Sequence, residues 1–225
     1  MRLLYVNPNA TVSMTGAIVA AARAALPGAR ISGETNATGP MAIQGAQDGA
    51  AAIPGVLDLL SRADADAAVI ACFDDTGLEE AQARVPFPVL GIGQSAYVMA
   101  GLMGRRFSVV TSLAVSVPVI EHNIARGGFA ARCVSVRASG LPVLTIDEGG
   151  AAVLDRLSHE IARARDEGAG AVVLGCAGMA PLTAPLAART GVVLIDGVAA
   201  SAHLAAAAAG FAGGAERRPS DDVSG

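Results

Sequence analysis

Short runs of aliphatic and β-branched residues alternate along the chain with longer, alanine-rich stretches. Seven runs have the length of strands: residues 2–6, 69–72, 89–92, 107–111, 133–136, 172–176 and 192–195. Because they are apolar at consecutive positions, they are typical of strands buried on both faces of a parallel sheet. Intervening stretches such as residues 14–26 and 198–209 have the composition of helices, and Asp147 and Glu148 are placed to begin a helix ending near Glu167. The pattern predicts an α/β fold built from strand–helix–strand units.

The chain also repeats itself at a spacing of 104 residues. Three pairs of segments match at this spacing: residues 2–7 with 106–111, 89–93 with 193–197, and the runs ending in Cys72 and Cys176. Because solenoid repeats are only about 20–50 residues long, this spacing predicts two similar lobes, each with a parallel sheet flanked by helices. We expect residues 1–96 and 198–212 to form the first lobe, residues 97–197 the second, and residues 213–225 a disordered tail.

Composition excludes several classes of function. The 225 residues carry a net charge of −4 without a basic stripe, so we expect no nucleic-acid partner. There is no uncharged apolar run of about 18 residues, so we expect no membrane span and a cytoplasmic protein. The chain contains no lysine, which rules out a pyridoxal-phosphate Schiff base and a P-loop. Its three histidines lack ligand spacing and no Cys-x-x-Cys occurs, so we expect no metal centre.

Cys72 and Cys176 are the strongest candidates for chemistry. Both follow strands at the sheet edge where open α/β folds bind ligands. A buried free cysteine is often only a small hydrophobic residue, but two at equivalent positions of a repeat favour a functional pair. We expect N–H groups at the following helix starts to lower the pKa of both thiols. Cys133, by contrast, begins what we predict is an internal strand without a counterpart and belongs to the core.

Polar turns are predicted near the same edge. Those at residues 7–11 and at Thr111-Ser112 either hold a substrate or cap the helices that follow. Asp74 and Asp75 are predicted to cap a helix over residues 78–82. Gly91-Ile-Gly93 resembles part of a dinucleotide-binding fingerprint, but no acidic residue follows at the required distance, so we interpret it as the tight turn after the fourth strand.

Five motifs together resemble the aspartate/glutamate/hydantoin racemase superfamily, specifically its hydantoin or allantoin racemase branch. They are Asn7-Pro-Asn, Ala71-Cys-Phe-Asp-Asp-Thr-Gly-Leu78, Phe107-Ser-Val-Val-Thr111, Val134-Ser-Val-Arg-Ala-Ser139 and Leu174-Gly-Cys-Ala-Gly-Met179. The resemblance spans about residues 1–210. It implies two flavodoxin-like lobes, a cofactor-free site in the cleft between them, and a homo-oligomer. The one departure is Gln94, where many relatives have an acidic residue.

The resemblance also implies residue roles. Cys72 and Cys176 would be the two acid/base groups. The substrate would be held by the loops and turns at Asn9, Gln44, Phe73, Asp74, Thr111, Ser112, Ala177 and Gly178. The implied activity is racemisation of a cyclic ureide, a 5-substituted hydantoin or allantoin, by proton transfer at C5.

Other functions remain open at this point. The same lobes and cysteines could serve an aspartate or glutamate racemase or a maleate isomerase, and an arylmalonate decarboxylase fits less well because a second thiol is present. A dicarboxylate substrate would call for arginine, and only Arg137 is expected near the predicted site. A two-lobed binding protein without catalytic activity is the alternative from another class.

Overall fold

The computed structural model describes residues 1–215 and contains two four-stranded parallel sheets. The first consists of β1 (Arg2–Asn7), β2 (Arg30–Thr35), β3 (Ala67–Ile70) and β4 (Val89–Gly91), in the order β2-β1-β3-β4. The second consists of β5 (Phe107–Thr111), β6 (Cys133–Ala138), β7 (Ala171–Gly175) and β8 (Leu194–Asp196), in the order β6-β5-β7-β8. Because the two halves share one strand order, the predicted pair of similar α/β lobes is confirmed.

Helices connect the strands. Those of the first half are α1 (Val12–Ala25), α2 (Ala46–Ser61), α3 (Leu78–Gln82) and α4 (Ile92–Leu102). Those of the second half are α5 (Val117–Arg126), α6 (Val143–Glu148), α7 (Ala151–Asp166), α8 (Thr183–Thr190) and α9 (Gly197–Ala215). The predicted tail at residues 213–225 thus begins within α9, and residues 216–225 lie outside the described part. None of the helices in residues 1–215 combines the length and apolar character needed to cross a bilayer.

The larger of two hydrophobic clusters contains residues of both halves, whose last helices pack together. α4 packs against α9, and it also contacts β7 and β8 of the other half. α9 in turn contacts α1 and β3. Small side chains face this packing region, with Ala96 and Ala100 of α4 and Ala202 and Ala205 of α9 fully buried. The assignment of residues 1–96 and 198–212 to one lobe and of residues 97–197 to the other stays a prediction.

The two edge strands correct the sequence interpretation. β2 was not predicted because its residues alternate between exposed and shielded positions, as expected for an edge strand. Gly33 within it allows α1 to approach, since a Cβ there would lie 2.5 Å from Val19 Cγ2. β6 is an edge strand rather than an internal one, and it is the counterpart of β2. Cys133 at its start is therefore only half-buried, although it packs against the core.

The predicted helix start at Asp147 and Glu148 is also wrong. Both residues form the end of the short helix α6, and Gly149 and Gly150 separate it from α7. The backbone φ angles of these glycines are +71° and +103°, a region that favours glycine and interrupts the helix. α7 then begins after Gly150, so the carboxylates precede a break rather than a helix.

Candidate active site

Each cysteine follows a central strand of its own sheet. Cys72 lies two residues after β3, and Cys176 directly follows β7. The carbonyl of each accepts a hydrogen bond from the N–H group three residues later, at 3.0 Å in both halves. Both cysteines therefore begin a tight turn at the carboxyl end of a parallel strand, where such sheets bind ligands.

A small pocket between the two halves is lined by both cysteines. It brings together eight residues predicted for the site, namely Asn9, Cys72, Phe73, Asp74, Thr111, Ser112, Cys176 and Ala177. Its volume is about 30 Å³, which is room for roughly one water molecule. The pocket is therefore small.

Both thiols are neutral at pH 7 in this environment. Burial raises the pKa of Cys176 to about 12, although the nearby backbone N–H of Gly178 opposes the rise. Burial and then the carboxylate of Asp74 raise the pKa of Cys72 still further, against the opposing effect of the Thr76 side chain and the Asp74 N–H. The backbone N–H groups do act to lower both thiol pKa values, as expected, but removal of the sulfur from water outweighs them, so each pKa lies above its ordinary value.

Asp74 has an unusual environment for a carboxylate. It lines the pocket with the two cysteines, and burial raises its pKa to about 7. Its Oδ2 atom is shielded from solvent and has no hydrogen-bond partner among the described residues. Its carbonyl oxygen accepts a hydrogen bond from Asn123 Nδ2 at 2.9 Å, which fixes the backbone on the side of α5. The pocket thus contains a carboxyl group with unused hydrogen-bonding capacity.

Asp75 points away from the pocket and corrects another prediction. It does not cap α3, which begins after Gly77 without a side-chain cap. Its carboxylate instead accepts the N–H groups of Gly93 and Gln94, at 2.9 and 2.7 Å, and so caps α4. Asp75 adopts a left-handed backbone conformation, with φ of +51°, as it turns toward that helix.

Gly91 and Gly93 make room for this cap. A Cβ at Gly91 would lie 1.9 Å from Asp75 Oδ1, and one at Gly93 would lie 2.4 Å from the Phe73 carbonyl oxygen. The Gly-x-Gly motif does not form the predicted tight turn, because β4 ends at Gly91 and α4 begins at the next residue. Because glycine has no side chain, these two positions allow the loop that carries Cys72 to pack directly against the start of α4.

The remaining predicted residues have mixed environments. Asn9 is buried, and its Oδ1 accepts the N–H of Thr11 at 2.9 Å, so it shapes its own turn as well as the pocket. Thr111 donates its hydroxyl to the Gly175 carbonyl at 2.8 Å. Gly178 presents its backbone N–H to Cys176 rather than lining the pocket. Gln44 also lies outside the pocket lining.

Gln44 forms a bridge between the two halves. Its Oε1 accepts the backbone N–H of Val143 at 3.1 Å, at the start of α6. Ile43, which precedes it, and Val143 both line the pocket. The hydrogen bond therefore joins two segments that close the pocket from opposite halves of the chain.

Sequence reasoning missed six residues of the lining. Two of them, Ala71 and Gly175, directly precede the predicted cysteines, and the other four are Met14, Ile43, Ser116 and Val143. Ser116 carried a usable signal because a serine before Val117-Pro118 is a common helix start. The other three are apolar and give no signal that separates them from the core.

Among residues 1–215, no cationic side chain lines the pocket. Arg137, the arginine expected near the site, lies on the edge strand β6, where it pairs with Glu160 at 2.7 Å and Glu167 at 2.5 Å. Within residues 1–215, no group of three or more His, Cys, Asp or Glu side chains is arranged to hold a metal. The pocket combines thiols, amides, hydroxyls and one carboxyl group.

Comparison with known proteins now adds to this geometry. Residues 3–205 match the family described as Asp/Glu/Hydantoin racemase. The chain belongs to this racemase family. The predicted family is thereby confirmed over most of the chain.

Individual relatives identify the branch. A hydantoin racemase of Rhizobium meliloti is 41% identical over 215 residues, covering 93% of this chain and 89% of the relative. The structure of an allantoin racemase from Klebsiella pneumoniae superposes with a TM-score of 0.89 at 35% identity, covering 94% of this chain and 88% of the other. A glutamate racemase from Francisella tularensis, at 15% identity, TM-score 0.68 and coverage of 92% and 80%, shares the fold alone.

These relatives confirm the predicted hydantoin or allantoin racemase branch of the family. They support an enzyme that is a racemase, and so an isomerase, rather than a binding protein without catalytic activity. They leave the choice of substrate and the roles of the residues to be argued from the pocket.

Proposed function

We propose that this racemase inverts C5 of a cyclic ureide, a 5-substituted hydantoin or allantoin, with Cys72 and Cys176 as the two acid/base groups. The observation that carries the proposal is that one pocket is lined by both thiols and, in the part of the chain that the structure describes, by no cationic side chain. Aspartate, glutamate and maleate each bring two carboxylates, which are bound best by arginine or a dense set of donors. A neutral ring with carbonyl and N–H groups fits the pocket's amides and hydroxyls better.

The chemistry follows from the acidity of the carbon beside a carbonyl group. The thiolate of one cysteine takes the C5 proton, so a C–H bond breaks, an S–H bond forms, and the electron pair moves onto the carbonyl oxygen as an enolate. The other cysteine then gives its thiol proton to the opposite face of C5, and the carbonyl reforms. For the other enantiomer the two cysteines exchange roles. Their raised pKa values make the thiolates scarce but strong bases.

Binding of the ring requires the pocket to widen, since its volume of about 30 Å³ holds only a water-sized group. We assign this opening to the segments joined by Gln44 and Val143. Closing them again would surround the ring with the proposed binding residues, which are Asn9, Gln44, Phe73, Asp74, Thr111, Ser112, Ala177 and Gly178. Water would then be excluded while the enolate exists.

The proposed function also covers the expected cofactors, oligomeric state and location of the protein. The reaction as written uses only the two thiols and the substrate carbonyl, so it requires neither a metal nor an organic cofactor. We further infer a homo-oligomer, which the family resemblance suggests, and a cytoplasmic location.

A substrate panel tests the proposed function. The purified protein is incubated in D₂O with single enantiomers of 5-substituted hydantoins, allantoin, aspartate and glutamate, and with maleate, and the products are analysed by chiral chromatography and mass spectrometry. We expect racemisation of a ureide with one deuterium incorporated at C5. Turnover of aspartate, glutamate or maleate in preference to every ureide would overturn the proposal.

A further inference from the structure

Asp74 is a pocket residue with unused hydrogen-bonding capacity. It lines the pocket beside both thiols, and its Oδ2 is shielded from water without a hydrogen-bond partner among the described residues. A buried polar atom without a partner is costly, so such an atom in a binding pocket points to a partner that arrives with the ligand.

The other charges in the pocket decide whether Asp74 contacts the substrate as an ionised carboxylate or as a neutral carboxylic acid. In the proposed reaction one negative charge moves from a sulfur to the carbonyl oxygen of the ring. None of the described residues that line the pocket is cationic and could balance a second negative charge, and an ionised Asp74 would place such a charge next to both sulfurs. A neutral carboxylic acid, in contrast, offers an O–H donor at the position where charge develops, an arrangement known to stabilise enolates.

We propose that Asp74 acts as a protonated carboxylic acid that donates a hydrogen bond to the enolate oxygen of the substrate. This role rests on the proposed function, since it needs an enolate formed between the two cysteines. The Asp74 proton stays on its oxygen throughout, while the proton that leaves C5 goes to a sulfur. Asp74 is then a third catalytic residue beside the cysteine pair.

The surroundings of Asp74 favour its protonated form. Its titratable neighbours are Cys72 and Cys176 in the pocket and Asp75 and Tyr97 behind it, and each would be neutral or negative. Asn123, the contact from α5, is uncharged. Burial alone already raises the pKa of Asp74 to about 7.

Two variants of Asp74 test the proposal with the ureide that the panel selects. Asp74→Asn keeps a hydrogen-bond donor at the same place, whereas Asp74→Leu removes it. We expect Asp74→Leu to lose about 10²–10³-fold in kcat, as for other donors to a developing oxyanion, and Asp74→Asn to keep most of the activity. Circular dichroism checks that both variants are folded.

The pH dependence of a ratio provides the decisive readout. The kcat/KM of the wild-type enzyme divided by that of Asp74→Asn isolates the part of the pH dependence that comes from Asp74, including its effect on the thiol pKa values. We expect this ratio to fall as the pH rises from 6 to 9, by up to about tenfold per unit, because only the wild-type donor is lost on ionisation. The same ratio for Asp147→Asn, a carboxylate that interacts with Cys176 but does not line the pocket, should stay level.

The outcomes separate this inference from the proposed function. A ratio that stays level or rises with pH would overturn the role of Asp74 as a donor, because a carboxylate that accepts a ring N–H improves on ionisation. If Cys72→Ser and Cys176→Ser abolish racemisation while Asp74→Leu does not reduce it, the inference fails and the proposed function stands. If the wild-type enzyme racemises no ureide, the proposed function itself fails.

Discussion

Cys72 and Cys176 line one pocket from equivalent positions in the two halves of the chain, 104 residues apart. Each begins a turn closed by a 3.0 Å hydrogen bond from the N–H three residues later. Each sulfur also lies near the N–H two residues later, that of Asp74 or of Gly178. The repeat therefore reproduces the local surroundings of the thiol as well as its position.

The loop that carries Cys72 packs closely against the start of α4, so we expect a glycine-to-alanine substitution at this contact to destabilise the protein. Gly91→Ala and Gly93→Ala should each lower the free energy of unfolding by about 1–3 kcal/mol, because the new Cβ would overlap Asp75 or the Phe73 carbonyl. Both should also lower activity, since the loop carries Cys72. Denaturant unfolding and the racemase assay measure the two effects.

A glycine in open space serves as the control for these variants. Gly16 lies within α1, and a Cβ there would meet no atom within 4 Å. Gly16→Ala should raise stability by about 0.5–1 kcal/mol, because alanine is the better helix former. If Gly91→Ala were as stable as Gly16→Ala, the close fit around Asp75 would be refuted.

Asp75 predicts a pH dependence of stability. Burial raises its pKa to about 8 although two N–H groups at the start of α4 oppose the rise, and its unfolded value is near 3.9. Because the folded pKa is the higher one, the stability contributed by this group is fully present below the unfolded pKa and is lost as the pH rises toward about 8. The wild-type melting temperature should therefore fall more between pH 5 and 9 than that of Asp75→Asn.

The Asn variant suits this test because asparagine tolerates the left-handed backbone that position 75 adopts. It also keeps one oxygen that can accept an N–H of α4. Melting curves of both proteins across the pH range give the comparison. Parallel pH profiles would show that Asp75 is already ionised in the folded protein at low pH.

Much of the fold could be predicted from the sequence because its central strands are buried on both faces. Seven of the eight strands within residues 1–215 appear as mainly apolar runs, and the 104-residue repeat matches the two sheets. β2 was missed since half of its side chains face solvent. The sequence interpretation missed the break between α6 and α7 at Gly149-Gly150. Acidic residues are common at the start of a helix, so Asp147 and Glu148 were assigned to the start of α7 instead of the end of α6.

The candidate site was less predictable for a physical reason. Position in the repeat identifies Cys72 and Cys176, but the direction of their pKa shifts depends on depth of burial, which local sequence does not reveal. Asp74 and Asp75 are adjacent and identical, yet one lines the pocket and the other caps a distant helix. Asp75 also differs from Asp74 in its left-handed backbone, which local sequence does not indicate.

The hydrogen bond between Gln44 and Val143 predicts that Gln44 stabilises the pocket around the bound substrate. Gln44→Ala removes a hydrogen bond worth about 1 kcal/mol and should reduce kcat/KM by about fivefold, mainly through a higher KM. Gln44→Glu keeps an oxygen acceptor for the Val143 N–H and should retain more of the activity. Steady-state kinetics on both variants test this, and unchanged kinetics in Gln44→Ala would rule out the role.

The central claim is that two thiols in one pocket move protons to and from opposite faces of one carbon. The most direct test is racemisation of a single ureide enantiomer in D₂O by Cys72→Ser, Cys176→Ser and the control Cys133→Ser. We predict that the first two each lose at least about 10²-fold in racemisation, because a serine hydroxyl ionises and donates its proton far less readily than a thiol, whereas Cys133→Ser stays near wild type with deuterium at C5 of the inverted product. Near wild-type racemisation by either Cys72→Ser or Cys176→Ser would contradict the account.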